Sequence, residues 1–385
     1  VEQIVYRDGV FRKSLVEGWL THGVHVPDYV EVWKGQNPAS DYWRDYDTAA
    51  RASHVDSPGL HVGGWWDIFA EGTIEEFRRR TSEGAARARG KQILVMRPTG
   101  HGPWGHQHLK FPPNHDDFRV TPFRKRFAQR WLTGRDDGLD AEPAVHYYTI
   151  GDDTDFAGPG WEWRTAEAWP PFDLEPVPYY LHVDGRLDIE SPQQAPATRE
   201  FVFDPTDPVP TIGGQNLVIA YGPLDQRELG SRADVLTFRS VPLSEPLETT
   251  GHFRVRLFIA SDAPDTDFTA KLVDVYPEGD SREILMLDGI RRVKYRNGRD
   301  APAPELVPDQ VVAIDIDLGN ISWIFNAGHR IGLQISSSNH PRFEVNPNDG
   351  REFPTAESPG RPAHNIVHLS SEHPSVLLLP VRPVR

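Results

Sequence analysis

The sequence predicts an α/β unit at residues 58–170, preceded by a helical segment at 1–57 and followed by an all-β unit at 171–385. From residue 58 to residue 150, strand patterns alternate with helix patterns, which is typical of an α/β fold. From residue 171 onward there are roughly nine short strand candidates and no convincing helix. The 35 prolines and 32 glycines also suit a loop-rich, β-heavy chain.

Residues 1–57 are expected to form an amphipathic helical segment. Phe11, Leu15, Trp19 and Leu20 recur at helical spacing, which would place their side chains on one face. The segment therefore precedes the alternating unit as a helical piece of its own.

The alternating unit contains three predicted strands and two predicted helices. Acidic residues early in the first helix and arginines late in it match the polarity that a helix dipole favours. In chain order we expect a strand at 58–62, a turn at Gly63-Gly64, a helix from Glu71 to Arg80, a strand at 93–96, a helix at 122–132 and a strand at 145–150.

The all-β unit is predicted to be a β-sandwich of the jelly-roll type. Several of its segments alternate apolar and polar residues, as half-buried strands do, and turns rich in proline, glycine and aspartate separate them. The strand candidates are 178–183, 200–203, 235–238, 253–259, 268–275, 284–287, 311–316, 331–335 and 376–381.

Two ionisable residues, Asp67 and His101, each follow a predicted parallel strand. Parallel strands deliver such side chains to the carboxyl edge of their sheet, where α/β enzymes place their sites. A carboxylate followed in sequence by a histidine matches the last two members of an α/β-hydrolase triad, whose chain order is Ser, Asp, His. The Gly-x-Ser-x-Gly motif of the nucleophile is absent from the sequence. The alternative for Asp67 is a helix N-cap, since a helix follows it.

Composition excludes several classes of function. The net charge of −15 argues against nucleic acid and anionic membranes as partners, because both require a basic surface. With no cysteine, the chain has no disulfide, cysteine nucleophile or thiolate metal site. No apolar run is long enough to span a bilayer, so we expect a soluble protein. The compartment is left open, with the cytoplasm slightly favoured.

A metal site is the weaker interpretation of two polar clusters, and we predict neither a metal nor another cofactor. His101, His106, His108 and His115 are separated by glycine and proline, whereas catalytic zinc is usually held by regular structure. The segment with Asp262, Asp265 and Asp267 lacks the glycine and the bidentate glutamate of a calcium loop.

Seven stretches resemble the serine hydrolases that group cocaine esterase, α-amino-acid ester hydrolase, glutaryl acylase-like enzymes and X-prolyl dipeptidyl aminopeptidase (the CocE/NonD type). The resemblance covers nearly the whole chain. The stretches are HVGGWWDIFAEGT at 61–73, LVMRPTGH at 94–101, DPVPTIGGQN at 207–216, GPLDQRELGSRADVLTF at 222–238, SDAPDTDFTAKLVDVYPEG at 261–279, DGIRRVKYR at 288–296 and GHRIGLQISSSNHPRFEVNPNDG at 328–350.

The resemblance implies three domains: the end of a helical cap at 1–57, the C-terminal part of an α/β-hydrolase core at 58–170, and a jelly-roll (galactose-binding-like) domain at 171–385. In the family, the nucleophilic serine and an oxyanion-hole tyrosine lie before the cap. We therefore expect an N-terminal segment or a second chain to supply the nucleophile. Homo-oligomerisation is left open.

The resemblance also implies roles for individual residues. Asp67 would orient the histidine and stabilise its imidazolium, and His101 would be the general base. His106 is the alternative base, because Gly-Pro-Trp-x-His is the commoner family wording. His101 is preferred because it lies five residues after Met96, the last apolar residue of its strand.

Three aromatic residues beside the acid are candidates for substrate binding: Phe69, Trp65 and Trp66. Phe69 falls where the family places an aromatic wall of the acyl pocket. Core packing is the alternative for all three side chains.

The expected function is hydrolysis of small ester or amide substrates through an acyl-enzyme. Two alternatives stay open. One is X-prolyl dipeptidyl aminopeptidase activity, and the other is a non-catalytic module, built on a hydrolase remnant, that binds carbohydrate or a protein partner.

Overall fold

The computed structural model describes residues 2–36, 38, 40–102, 108–173, 175–298 and 302–382. Within these ranges, no helix has both the length and the apolar character that crossing a bilayer requires. Helices are few and short. They are α1 (Glu2–Val5), α2 (Lys13–Gly18), α3 (Tyr29–Lys34), α4 (Ala70–Ser82) and α5 (Val120–Thr133), with a π-helical turn at Trp19–Gly23 and 3₁₀ turns at Asp41–Tyr46, Ala49–His54, Pro113–Asp116, Leu139–Ala141, Arg227–Ser231 and Val293–Tyr295.

Strands account for most of the regular structure. They are β1 (Tyr6–Arg7), β2 (Val10–Phe11), β3 (Gly59–Trp66), β4 (Gln92–Gly100), β5 (Val145–Thr149), β6 (Glu162–Ala166), β7 (Val177–Leu181), β8 (Leu187–Asp188), β9 (Thr198–Phe203), β10 (Leu236–Arg239), β11 (Leu247–Ser261), β12 (Asp267–Val275), β13 (Glu283–Arg292), β14 (Val312–Phe325), β15 (Arg330–Ser336), β16 (Ala363–His368) and β17 (Val376–Leu379).

The α/β unit is built on one sheet with the strand order β3-β4-β5-β6. The first three strands are parallel and β6 joins them antiparallel. Helix α4 connects β3 to β4, and its buried Ile74 and Phe77 pack on the sheet, which is the standard way to cover a parallel strand pair. The predicted α/β class is thus confirmed.

One local prediction in this unit is wrong. Gly63 and Gly64 do not form a turn but continue β3. A Cβ atom on Gly64 would lie 2.3 Å from the main-chain oxygen of Thr99. Glycine is therefore required there because the neighbouring strand comes too close for a side chain, and not because the chain turns.

The second unit is a sandwich of two antiparallel sheets. One has the order β10-β15-β12-β13, and the larger one has the order β8-β7-β17-β11-β16-β9 with β14 also paired to β11. All nine predicted segments contain strands, and β13 and β14 extend well beyond their predicted ends. In the sandwich, β8 and β16 were not predicted. Outside it, β6 of the α/β sheet and the hairpin strands β1 and β2 were not predicted either.

The first 57 residues are helical only in part. Phe11, expected on a helix, lies in β2, which pairs with β1 as a short hairpin. Its ring is buried in a small core of its own with Tyr6, Leu20 and Trp43. The domain boundaries at 57 and 170 stay a prediction.

One continuous core joins the α/β sheet to the sandwich. It includes Trp65 on β3, Tyr147 on β5 and Trp323 on β14, all buried. The main chain of Ile150 also bridges to Trp323. The sandwich is therefore packed directly against the sheet that carries Asp67 and His101.

Candidate active site

Strand register brings Asp67 and His101 together. Trp66 of β3 and Gly100 of β4 are register partners at the carboxyl ends of the two parallel strands. Asp67 directly follows β3, and His101 directly follows β4. Because neighbouring strands lie about 4.8 Å apart, two residues that leave the sheet at one level are within reach of each other.

The two side chains form a hydrogen bond. Nδ1 of His101 lies 3.0 Å from Oδ1 of Asp67, and the N–H of Phe69 donates to the same carboxylate oxygen at 2.9 Å. A carboxylate can only accept, so Nδ1 carries the proton and Nε2 of a neutral ring is left as an acceptor. A triad requires this tautomer, in which Nε2 takes the proton of a nucleophile.

The local backbone fixes the acid. Asp67 begins a turn in which its N–H donates to Gly64 and its main-chain oxygen accepts from Ala70, the first residue of α4. The carboxylate is oriented by the Phe69 N–H, as in an Asx turn. The N-cap interpretation of Asp67 is wrong, because the residue that caps α4 is Phe69 and no side chain makes the capping hydrogen bond.

The pair lies at the surface of this chain. The His101 side chain is 38% exposed and that of Asp67 is 16% exposed. Phe69, which is 39% exposed, packs edge-on against the imidazole with 5.2 Å between ring centroids. An apolar ring beside this imidazole is suitable for contacting an acyl group, and the role of Phe69 stays a prediction.

Trp65 and Trp66 do not line this site. Both are fully buried, and their indole N–H groups donate to the main-chain oxygens of Tyr148 and Met286, at 2.8 and 3.1 Å. Neither side chain has surface left for a ligand. Core packing, the alternative to substrate binding, is the arrangement that the structure gives, because β5 and the sandwich cover this part of β3.

His106, the alternative base, lies outside the described residues. Two other histidines of the loop have structural partners: Nδ1 of His108 accepts from the N–H of Asp225, and Nδ1 of His115 contacts the oxygen of Pro112. Across the described part of the chain, no group of three or more His, Asp or Glu side chains is arranged to hold a metal ion.

Three residues near the pair were missed by the sequence analysis. Arg12, Gln215 and Tyr221 approach the two loops from other domains, and their contacts are described below. Gln215 belongs to the family-like stretch 207–216, which was the one available signal. Its partners are distant in sequence, so no local pattern indicates them.

The fold and the paired side chains define an α/β-hydrolase-type unit joined to a jelly roll. Two family models match the chain: X-Pro dipeptidyl-peptidase (S15 family) over residues 6–103, and X-Pro dipeptidyl-peptidase C-terminal non-catalytic domain over residues 137–378. The second model covers more than half of the chain, which therefore belongs to the family of proteins with the X-Pro dipeptidyl-peptidase C-terminal domain.

Among curated proteins, the cocaine esterase of Rhodococcus sp. (strain MB1 Bresler) is 33% identical over 359 residues. The alignment covers 88% of this chain and 59% of the esterase. The chain thus spans about three fifths of the length of this relative.

Solved structures give the same fold. An α-amino acid ester hydrolase matches with a TM-score of 0.77 and 25% identity, over 98% of this chain and 66% of that chain. An aminopeptidase from the marine sediment archaeon Thaumarchaeota archaeon matches with a TM-score of 0.82 and 23% identity, over 97% and 69% of the two chains. The second likeness shows the fold alone.

Proposed function

We propose that this chain supplies the acid and the general base of a serine hydrolase that cleaves small ester or amide substrates. The observation that carries the proposal is the Asp67–His101 hydrogen bond at the carboxyl edge of the sheet. It leaves Nε2 of His101 as the proton acceptor that a serine nucleophile requires.

The reaction would proceed in two halves. In the first, Nε2 of His101 takes the proton of a serine hydroxyl while the oxygen attacks the acyl carbon, and the imidazolium then protonates the leaving alcohol or amine. In the second, His101 removes a proton from water, which attacks the acyl carbon. The bond to the serine oxygen then breaks, the imidazolium returns the proton to that oxygen, and the acid is released. Asp67 stabilises the imidazolium in both halves.

We infer that the serine and the oxyanion hole come from a segment or second chain outside these 385 residues. The inference rests on the absence of a Gly-x-Ser-x-Gly elbow from the sequence. The exposure of His101 fits it, because an attacking serine has to reach the ring.

Small acyl esters and amides are favoured over X-Pro peptides as substrates. Cocaine esterase, an esterase by its name, is identical at a third of the aligned positions. Phe69 places an apolar ring beside the base, which suits an uncharged acyl group. Peptidase activity is the second candidate, because both matching family models carry the X-Pro dipeptidyl-peptidase name.

The test is a substrate panel given to the complete enzyme, that is, these residues together with the part that supplies the serine. The panel contains 4-nitrophenyl esters of short and aromatic acids, the matching anilides, and an X-Pro 4-nitroanilide. We expect the esters to be hydrolysed with the highest kcat/KM and the anilides more slowly.

Three other outcomes would overturn parts of this assignment. Preferential cleavage of the X-Pro anilide would identify a dipeptidyl peptidase. Turnover that Asp67→Asn leaves unchanged would remove Asp67 from the mechanism. No turnover, combined with saturable binding of a sugar or a protein, would identify a non-catalytic module.

A further inference from the structure

One jelly-roll loop, residues 213–222, contacts both of the loops that carry Asp67 and His101. It is closed by paired main-chain hydrogen bonds between Gly214 and Gly222, each 2.9 Å. The side-chain amide of Asn216 donates to the oxygens of Gly213 and Ala220, at 2.7 and 2.9 Å. These internal bonds make the loop a defined platform on the sandwich.

Gln215 holds the strand end before the acid. Its side-chain N–H donates to the main-chain oxygen of Trp65 at 3.1 Å, two residues before Asp67. Its side-chain oxygen accepts from Arg7 at 3.1 Å, which fixes the orientation of the amide. The residue is buried, so the bond to Trp65 is made away from solvent.

Arg12 connects the same loop to the residue after the acid. It is buried, and its guanidinium donates to the main-chain oxygen of Gln215 at 3.3 Å and to that of Ile68 at 3.4 Å. The main chain is therefore held on both sides of Asp67, through Trp65 and Ile68. Gln215 takes part in both contacts, through its side-chain amide to Trp65 and through its main-chain oxygen to Arg12.

Tyr221 lies against the loop of the base. A Cβ atom on Gly100, the residue before His101, would lie 2.6 Å from the Tyr221 ring, and one on Gly102 would lie 3.8 Å from its hydroxyl oxygen. The ring thus occupies the space that a side chain at Gly100 would need. The ring therefore restricts the main-chain conformation of Gly100, directly before His101.

We propose that residues 213–222 are a positioning element for the triad, with Gln215 holding the acid loop and Tyr221 holding the base loop. The inference deepens the proposed function and rests on it. The sandwich would thus set the Asp67–His101 geometry, although the family model that matches it is described as non-catalytic. Triad chemistry depends on such placement, since misplacement by about 1 Å can cost about 100-fold in rate.

The test uses Gln215→Leu and Tyr221→Leu in the complete enzyme, with Gln334→Leu as the matched control. Gln334 is another buried glutamine of the sandwich, and its amide donates to Glu283 at 3.1 Å. The control therefore removes a buried amide without touching either loop. Tyr221→Phe keeps the ring and serves as the conservative variant.

We expect Gln215→Leu and Tyr221→Leu to lower kcat about 10- to 100-fold with KM changed less than about threefold. In both variants, the pH at which kcat/KM falls on the acidic side should also change, because the His101 imidazolium loses its oriented partner Asp67. Tyr221→Phe, which keeps the ring against Gly100, should retain a higher kcat than Tyr221→Leu. Gln334→Leu should lower Tm and leave both kcat and the pH profile unchanged.

A second readout does not depend on turnover. The His101 Nδ1 proton should give a low-field NMR resonance, assigned by its loss in His101→Ala, that Gln215→Leu weakens or moves and Gln334→Leu preserves. If both loop variants lowered only Tm and left kcat and this resonance as in Gln334→Leu, the positioning role would be wrong. A wild type without turnover would refute the proposed function, and the resonance would still decide the positioning role.

Discussion

His101→Ala is expected to lower kcat/KM for ester hydrolysis by about ten-thousand-fold or more. The variant removes the group that takes the proton of the serine and returns it to the leaving group. Asp67→Asn should cost about the same factor, because an amide can donate to Nδ1 and so favour the wrong tautomer of the ring. Both follow from the 3.0 Å contact between the two side chains.

His106→Ala is the matched control for this first prediction. It removes an imidazole five residues further along the chain and should leave most of the turnover. Rates are measured with the best ester of the panel, and circular dichroism spectra establish that each variant is folded. If His106→Ala abolished turnover and His101→Ala preserved it, the general base would be His106.

The second prediction with a large expected effect is that replacing His329 lowers the free energy of unfolding. This histidine lies where the sandwich meets the α/β unit. Its Nδ1 is 2.8 Å from Oδ1 of Asp274 on β12, and its Nε2 is 3.3 Å from Oδ2 of Asp152, which follows β5. The indole N–H of Trp323 donates to the other Asp274 oxygen at 3.0 Å. Both ring nitrogens therefore face carboxylates, and only an imidazolium can donate to both.

These contacts shift two pKa values. Burial disfavours the charged ring, but the hydrogen bonds to Asp152 and Asp274 and their charges outweigh it and raise the pKa of His329 to about 9. Burial likewise opposes the charge of Asp152, but the bonds from His329 and Thr154 lower its pKa to about 2. Burial raises the pKa of Asp274, and the hydrogen bond and charge of His329 oppose that rise. The domain interface thus contains an imidazolium between two acidic side chains.

The sign of the pH dependence follows from the raised pKa. The folded state holds the His329 proton up to about pH 9, whereas the unfolded chain releases it near pH 6.5. The stabilisation is therefore complete below pH 6.5 and is lost as the pH rises to about 9. We expect the protonation of His329 to contribute about 2 kcal/mol to the free energy of unfolding, allowing for solvent screening.

The variant that tests this is His329→Gln, which keeps a polar side chain but cannot carry the proton. It should lower the free energy of unfolding at pH 6 by about 3–5 kcal/mol, because it leaves Asp274 buried without its cation. The measurement is denaturant unfolding at pH 6 and pH 9.5. The difference between wild type and variant should shrink at the higher pH.

His364→Gln is the control, since this histidine pairs with Glu200 at the surface. Exposed pairs contribute little, so its unfolding should match the wild type at both pH values. If the wild type and His329→Gln lost the same stability between pH 6 and pH 9.5, His329 would not be charged in the folded protein.

The class of fold and the acid–base pair could be predicted because both depend on local patterns. An apolar run followed by a loop indicates where a parallel strand ends, and Asp67 is the first carboxylate and His101 the first histidine after two such runs. Parallel pairing then places them side by side, which the Trp66–Gly100 register gives in detail.

What could not be predicted depends on contacts between distant segments. Gly64 continues a strand because the main chain of Thr99 passes close to it. Trp65 and Trp66 are buried because β5 and β13 accept their indole protons, and neither tryptophan differs by local pattern from one that lines a pocket. Gln215 reaches Trp65 across 150 residues of sequence.

The central claim is that Asp67 and His101 serve a serine that lies outside these 385 residues. The most direct measurement is labelling of the complete enzyme with a fluorophosphonate, followed by mass spectrometric mapping of the labelled peptide. We expect one labelled serine outside these 385 residues, and a labelling rate that His101→Ala reduces at least about 100-fold. A label on a serine within these residues, or no label on a preparation that hydrolyses esters, would contradict the claim.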